Sequence, residues 1–282
     1  MKYRGHSYTV GAIGDDFKFA IMWHTSPARA LSVTRSEDAM LAVNNAYRDM
    51  MPRTIDGLGL SMLDKLPGKA VKKEDKNALR GIKAELLKEL RENLAKNIIE
   101  KVFLANSGAG DFNDSIHQTL CNEFIADFKA KVGTLNRAID DFNKRHSLTA
   151  SNEIKSIDTD KITYGKAQKI VNMSMKQLYC FDDACRYHAS VFQYCHIPLD
   201  SIILEFFKLN HQYVWSNLDD TAYSEVQTQC RKKWEKKTSE AGFSAGDDFT
   251  KLFFAEFIIW DAGSEREGKA SKKNIDSIEI DP

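Results

Sequence analysis

The sequence predicts a mainly α-helical protein, and three observations support this prediction. Two long segments repeat apolar residues at steps of three and four, the spacing that gives a helix one buried stripe. The short β-favouring runs that we identify lie near the N-terminus. The 282 residues are 43% apolar and 28% charged, an ordinary globular composition that excludes collagen-like and wholly disordered chains. The predicted class is a multi-helix globular fold with a small N-terminal β hairpin or sheet.

The N-terminal β element is expected first along the chain. Ser7–Ile13 and Phe17–Trp23 favour strands and flank a Gly/Asp turn, which is the pattern of a hairpin. The character of the sequence changes after Pro27, and a helix is expected from Ser36 to a point before Pro52.

Two long amphipathic helices are expected next, over Glu74–Leu104 and Asp111–His146. Each carries its apolar residues on one stripe, and in the first helix Lys, Arg and Glu residues fill the other face. Ser107–Gly110 breaks the pattern between the two helices. The polar stretch Ser147–Asp160 is the best candidate for a linker.

Further helices are predicted beyond this linker, over Tyr164–Phe181, Ser201–Leu209, Ala222–Thr238 and Asp247–Trp260. The last of them is too apolar for an exposed surface helix. The predicted organisation is a β element with a helical region in residues 1–146, a helical region that would carry the function in residues 147–262, and a flexible tail in residues 263–282.

Charge and cysteine content narrow the functional classes. Forty basic residues balance forty acidic ones, so nucleic-acid binding would need a local basic face rather than the field of the whole molecule. The five cysteines include no CxxC pair, which favours a reducing interior. Because no segment has the apolar length of a signal peptide or a membrane span, we expect a cytoplasmic protein with no membrane partner.

The sharpest chemical pattern lies in residues 162–204. Tyr164–Lys169 predicts a tight glycine-containing turn that runs into a helix, which places Lys169 near the helix N-terminus. The helix dipole there lowers the pKa of an amine and makes the amine more nucleophilic near neutral pH. Pro198 then favours an extended approach to the next helix, where Asp200 is suited to capping that helix or to facing a cleft.

Over about Ile162–Leu209 these residues resemble the helix-hairpin-helix DNA glycosylases, including the 8-oxoguanine glycosylase branch. In that family a hairpin of pattern Gly-x-Gly-x-Lys presents a catalytic lysine, and a hydrophobic-Pro-hydrophobic-Asp segment presents a catalytic aspartate. Gly165–Lys169 is similar to the first element, with Ala167 at the second glycine position, and Ile197–Asp200 is similar to the second. The resemblance implies a glycosylase-like C-terminal half.

Carried over to this chain, the resemblance implies a base-excision enzyme. Lys169 would attack the sugar C1′ of a flipped nucleotide and form a Schiff base, while Asp200 would stabilise the developing positive charge and assist proton transfer. DNA is the implied partner, and no cofactor is implied. The implied nucleic-acid contacts are Gly165, Lys166, Ala167 and Gln168 at the hairpin. Because Arg186, His188 and His196 are close to the motif in sequence, we expect them to line the pocket or touch phosphate.

A basic cluster offers a second contact for DNA. Arg231–Lys237 carries five positive charges and one negative charge around Trp234. Arg231, Lys232 and Lys233 could therefore neutralise phosphates while Trp234 stacks on a base. The same pattern is typical of the solvated face of a helix whose other side packs. Both interpretations stay open.

Other chemistries are less favoured by the sequence. Zinc-ligand types occur close together, but their spacing is not that of a zinc finger or knuckle, so no metal site is predicted. These residues are Cys180, Cys185, His188, Cys195 and His196. The chain also has no P-loop, dinucleotide fingerprint or His-Glu-x-x-His motif.

The alternative to an enzyme is a non-catalytic helical interaction module. Lys169 would then be a solvated residue of an amphipathic helix, and Asp200 a plain N-cap. The long helix Glu74–Leu104 and the aromatic helix that ends at Trp260 would form a surface for a partner, including a second copy in a homo-oligomer.

Overall fold

The computed structural model of the protein describes residues 2–3, 6–7, 35–50, 72–104, 113–148, 153–181, 189–244, 250–256 and 259. The described elements are β1 (Lys2–Tyr3), β2 (His6–Ser7), α1 (Arg35–Met50), α2 (Lys73–Ile98), α3 (Asp114–Arg145), α4 (Tyr164–Phe181), α5 (Ala189–Phe192), α6 (Ser201–Phe206), α7 (Asp220–Glu240) and α8 (252–256). α2 continues as a π-helix over Ile99–Leu104, and 3₁₀ turns occupy Thr159–Lys161 and Trp215–Asn217. The prediction of a mainly α-helical protein is confirmed.

The short strands β1 and β2 pair antiparallel, with Lys2 opposite Ser7 and Tyr3 opposite His6. The predicted hairpin over residues 7–23 lies outside the described residues except for Ser7, and the predicted tail of residues 263–282 lies outside them entirely. The N-terminal hairpin therefore stays a prediction.

The two long predicted helices are present as α2 and α3, which pack against each other. α3 begins where the side chain of Asn113 accepts a hydrogen bond from the amide of Ile116 at 3.0 Å, and this N-cap satisfies one of the free amides of the first turn. Their apolar stripes are buried, with Leu79, Leu90, Leu94 and Ile98 on α2, and Leu120, Phe124, Phe128, Val132, Leu135, Ile139 and Phe142 on α3.

The predicted linker after α3 is fixed to that helix in its described part. The Asn143 side chain donates to the carbonyl of Ile154 at 2.8 Å and accepts from the amide of Ile154 at 3.0 Å. Asn136 holds Ile157 in the same way, at 2.9 and 2.8 Å. Both isoleucines are buried. Two asparagines two turns apart thus hold the 153–158 segment against α3.

α4 is the central element of the fold, in contact with α1, α3, α5 and α7. It is buried on nearly all sides, and such a helix is normally apolar. α4 nevertheless carries buried polar side chains, namely Gln168, Lys169, Asn172, Ser174, Lys176 and Gln177. These groups need partners inside the protein because an unpaired buried polar group is costly.

The predicted division at residue 146 separates segments that share one hydrophobic core, since α1 and α3 both pack on α4. The division into two units stays a prediction. Among the helices that the structure describes, none has both the length and the apolar content needed to cross a bilayer.

Candidate functional site

The two residues predicted to be catalytic lie in direct contact. The Nζ atom of Lys169 on α4 donates to Oδ2 of Asp200 at 2.7 Å. Oδ1 of the same carboxylate accepts from the amide of Ile203 at 2.9 Å and so caps the N-terminus of α6. The Lys169 side chain is 10% exposed and the Asp200 side chain 22% exposed, so the pair lies just below the surface with its carboxylate side the more open.

The charge state of this pair follows from its surroundings. Burial alone would raise the pKa of Asp200, but the charge and hydrogen bond of Lys169, the amide of Ile203 and the charge of Lys176 outweigh burial and leave the pKa lowered. Asp200 is therefore a carboxylate at neutral pH. Lys176 lies two turns further along α4 and forms its own buried ion pair with Glu256 of α8.

The predicted turn before Lys169 is wrong, because α4 begins at Tyr164 and the glycine motif lies within its first turns. The amide of Gly165 donates to the carbonyl of Leu218 at 2.9 Å. The amides of Lys166 and Ala167 donate to the carbonyl of Thr163 at 3.2 and 3.1 Å. The backbone donors expected to hold a phosphate are thus already used within the protein.

Gln168 is also an interior residue rather than a nucleic-acid contact. It is fully buried, its Nε2 atom donates to the carbonyl of Leu199 at 3.1 Å, and its Oε1 atom accepts from the Leu199 amide at 3.3 Å. Asn172 and Gln227 donate to the carbonyl of Ile197 at 3.4 and 2.7 Å. Side-chain amides from α4 and α7 therefore hold residues 195–200, which we call the 195–200 segment, and so place Asp200 beside Lys169.

A network of buried rings joins α3, α4, the 195–200 segment and α7. The Tyr223 hydroxyl lies 2.8 Å from Nδ1 of His196 and 3.2 Å from Nε2 of His117. It also accepts from the side-chain amides of Asn172 and Gln227 at 3.0 Å each. The two imidazoles stack with ring centroids 4.2 Å apart. Two histidines, which sequence reasoning did not connect, thus share one hydroxyl.

The partners of these rings fix which nitrogen carries the proton. Nε2 of His196 lies 2.7 Å from Oδ1 of Asp114, and a carboxylate can only accept, so Nε2 is protonated and Nδ1 accepts from Tyr223. His117 donates from Nε2 to Oδ1 of Asn172 at 2.9 Å. Each imidazole makes its contacts in the neutral form.

Burial keeps both histidines neutral. Burial lowers the pKa of His117 well below its usual value, and the Asn172 hydrogen bond opposes this effect without cancelling it. Burial also lowers the pKa of His196 despite the opposing hydrogen bond and charge of Asp114. The His196 hydrogen bond lowers the pKa of Asp114 in turn, with a contribution from the charge of Arg231.

The remaining predicted nucleic-acid contacts fall into three groups. His196 is 4% exposed and lies behind Asp114, so the prediction that it contacts phosphate is wrong, while the alternative that it lines the base pocket stays a prediction. Trp234 is buried, so the prediction that it stacks on a base is wrong too. Lys232 and Lys233 are exposed on α7, and their contact with DNA stays a prediction. Arg186 and His188 lie outside the described residues.

The predicted zinc-ligand types are only partly described. Cys195 is buried and free, and burial raises the pKa of its thiol well above the usual value. Within the part of the chain that the structure describes, no three His, Cys, Asp or Glu side chains are grouped so as to hold a metal. Cys185 and His188 fall outside that part, as does the side chain of Cys180.

Sequence reasoning missed the side chains that position the site, namely His117, Asn172, Tyr223 and Gln227. One signal was available on α4, where Lys169, Asn172 and Lys176 recur at steps of three and four, with Gln168 beside them. Such a polar stripe on a buried helix predicts internal hydrogen-bond partners. Which elements supply those partners depends on tertiary packing.

Comparison with known proteins finds no relative for this chain: no family model matches it, and no curated protein or solved structure matches it significantly. The resemblance to helix-hairpin-helix glycosylases therefore depends on the residues of the motif alone and stays a prediction. Its strongest support is the contact between Lys169 and Asp200.

Proposed function

We propose that the protein is a DNA base-excision enzyme of the glycosylase/lyase type, in which Lys169 is the nucleophile and Asp200 its proton carrier. One observation carries the proposal: an amine and a carboxylate that lie far apart in the chain meet at 2.7 Å near the surface. An amine with an adjacent carboxylate can supply the nucleophile and the proton carrier of covalent catalysis at a sugar carbon.

The proposed reaction begins from the ion pair. The ammonium proton of Lys169 passes to Asp200 as Nζ bonds to C1′ of a flipped nucleotide, and the C1′–N bond breaks with its electron pair leaving on the base. Asp200 then gives that proton to the departing base. The nitrogen lone pair opens the sugar ring, the ring oxygen takes up a proton from nitrogen, and a protonated Schiff base of Lys169 results.

Exposed lysines on α7 support a DNA substrate. Lys232 and Lys233 face solvent and Arg231 is half-buried, so this end of α7 presents positive charge that the neutral whole molecule does not. Lys233 also donates to the carbonyl of Phe207 at 2.6 Å, just after α6, the helix that Asp200 caps. The basic cluster is thus tied by one hydrogen bond to the element that carries Asp200.

Borohydride trapping tests the proposal directly. The full chain is incubated with duplex and single-stranded oligonucleotides that carry a panel of modified bases, and borohydride is added to reduce any Schiff base. A covalent adduct and release of the base are expected with at least one substrate. Lys169→Arg keeps the positive charge beside Asp200 but cannot form a Schiff base, so the adduct is lost in this variant.

Lys155→Gln provides the matched control, because Lys155 is exposed and lies outside the site. This variant is expected to form the adduct at the wild-type level. The thermal unfolding midpoint of Lys169→Arg is measured alongside, so that loss of the adduct is not confused with loss of the fold. No adduct and no released base across the panel would favour the interaction module, and released base without an adduct would overturn the lysine mechanism.

A further inference from the structure

A cavity of about 770 Å³ opens beside the N-terminus of α3 and is separate from the residues of the proposed excision chemistry. Its walls come from the start of α3, the residues after α5, the last turns of α7 and the residues before α8. Neither Lys169 nor Asp200 lines it. The volume lies in the range of small-molecule sites, about 300–1,000 Å³.

The cavity contains a carboxylate that the interior of the protein holds in place. Asp114 lines the cavity with its side chain 76% exposed, and its Oδ1 atom accepts from the buried His196 at 2.7 Å. His196 is fixed in turn by Tyr223 at 2.8 Å. This chain of buried polar groups fixes the orientation of a carboxylate at the surface. Binding sites are built in the same way, since residues behind the site hold in place the group that contacts the ligand.

The charges that line the cavity indicate the ligand class. Asp114 and Glu235 are opposed by Arg231 and Lys251, so the lining is neutral overall and favours a ligand without net charge. The Arg231 guanidinium lies 3.9 Å from Oδ1 of Asp114. A ligand edge that carries a hydrogen-bond donor next to an acceptor would pair with both groups at once.

Aromatic rings complete the site. Tyr194 lines the cavity with about half of its surface exposed, and Phe243 lines it as a half-buried ring. An exposed aromatic ring at a polar cavity is a platform on which a planar ring stacks. Amino groups of nucleobases donate to carboxylates, and their carbonyl and ring-nitrogen acceptors pair with arginine.

We propose that this cavity binds the base of a nucleoside, with Asp114 accepting from its amino group, Arg231 donating to its acceptor, and Tyr194 stacking on its face. The binding is non-covalent and independent of the excision chemistry. Adenosine, cytidine and guanosine, which place an amino donor beside a ring-nitrogen acceptor, are the preferred ligands, and uridine, which has no amino group, is the weakest of the four common nucleosides.

Calorimetric titration of the full chain with adenosine, cytidine, guanosine and uridine tests the site, with phenylalanine as an aromatic zwitterion for comparison. Binding of at least one amino-bearing nucleoside is expected. Asp114→Asn keeps an oxygen for His196 but removes the charge, so it should weaken binding at least about tenfold. Arg231→Gln should have a similar effect, and since Arg231 is 41% exposed the variant should keep its fold.

Asp141→Asn and Arg137→Gln are the matched controls, because both residues are exposed on α3 away from the cavity. Both should bind with wild-type affinity. Nitrogen NMR of the histidine side chains gives a second measurement, in which the nucleoside should shift the Nε2–H signal of His196 in the wild type.

The proposal is overturned if none of the four nucleosides binds at millimolar concentration, if phenylalanine binds in their place, or if binding survives both cavity variants. Lys169→Arg should leave nucleoside affinity unchanged. Failure of the cavity proposal is therefore distinguishable from failure of the proposed excision chemistry.

Discussion

Gly165 shows how a residue of the motif can be required for helix packing rather than for binding a DNA phosphate. A Cβ atom at this position would lie 1.9 Å from the carbonyl oxygen of Trp215 and 3.2 Å from the amide nitrogen of Leu218. The absent side chain lets α4 approach the backbone at Trp215–Asn217, where Thr163 also donates to the carbonyl of Ser216 at 2.5 Å. The pattern Gly-x-Ala-x-Lys is visible in the sequence, but the close packing that requires its glycine is visible only in the structure.

Gly165→Ala is expected to destabilise the protein by about 3 kcal/mol, because the new methyl group overlaps backbone atoms that cannot rotate away. Gly133→Ala is the control: no atom lies within 4 Å of a Cβ there, and alanine in a helix interior should stabilise by about 0.5–1 kcal/mol. Urea unfolding measures both. A stabilised Gly165→Ala would contradict the close approach of α4 to Trp215.

At the scale of the element, α4 combines a buried position with charged side chains. Lys169 pairs with Asp200, the N-cap of α6, and Lys176 pairs with Glu256 on α8. The Lys176 and Glu256 side chains are 2% and 3% exposed, so water does not solvate either charge of this ion pair. A buried pair adds little net stability over apolar residues, but it makes either partner alone very costly.

Lys176→Met alone and Glu256→Leu alone are each expected to cost about 3–5 kcal/mol, because each leaves one buried charge without its opposite. The double variant should recover most of that loss. The exposed pair Lys236 and Glu240 is the control, where the corresponding changes should stay within about 0.5 kcal/mol. A double-mutant cycle by urea unfolding measures the coupling energy between Lys176 and Glu256. Additive losses from the two single changes would show that the charges are not coupled.

At the scale of the whole molecule, the buried histidine pair links stability to pH. His117 and His196 have lowered pKa values in the folded protein, so the unfolded chain binds more protons than the folded one below about pH 6.5. Stability should therefore fall as pH falls through that range. The carboxyls of Asp114 and Asp200, with pKa values below the usual 3.8, begin to contribute only at lower pH.

Between pH 6.5 and 5.5 we expect a loss of about 1 kcal/mol for each histidine that stays neutral in the fold. The unfolding free energy from urea titrations at several pH values measures it. His117→Gln should be less stable at pH 7.5 but show a shallower pH dependence than the wild type. An unchanged slope in His117→Gln would contradict the assignment.

The helices were predictable because their apolar spacing is local information, as the buried stripes of α2 and α3 show. Lys169 and Asp200 were selected from a family pattern, but their contact depends on tertiary packing and comes from the structure alone. The role of Gln168 was missed because its partner, Leu199, lies 31 residues away and meets α4 only through tertiary packing. The same holds for Tyr223 and His117, whose partners come from three different elements.

The way in which the 195–200 segment is held couples the positions of its two ends. No strand lies beside it in the described residues; Gln168, Asn172 and Gln227 grip its peptide groups instead. One end holds His196 behind the cavity, and the other end holds Asp200 against Lys169. The segment therefore connects the cavity to the Lys169–Asp200 pair. A substitution that removes one of its side-chain hydrogen bonds should shift both His196 and Asp200.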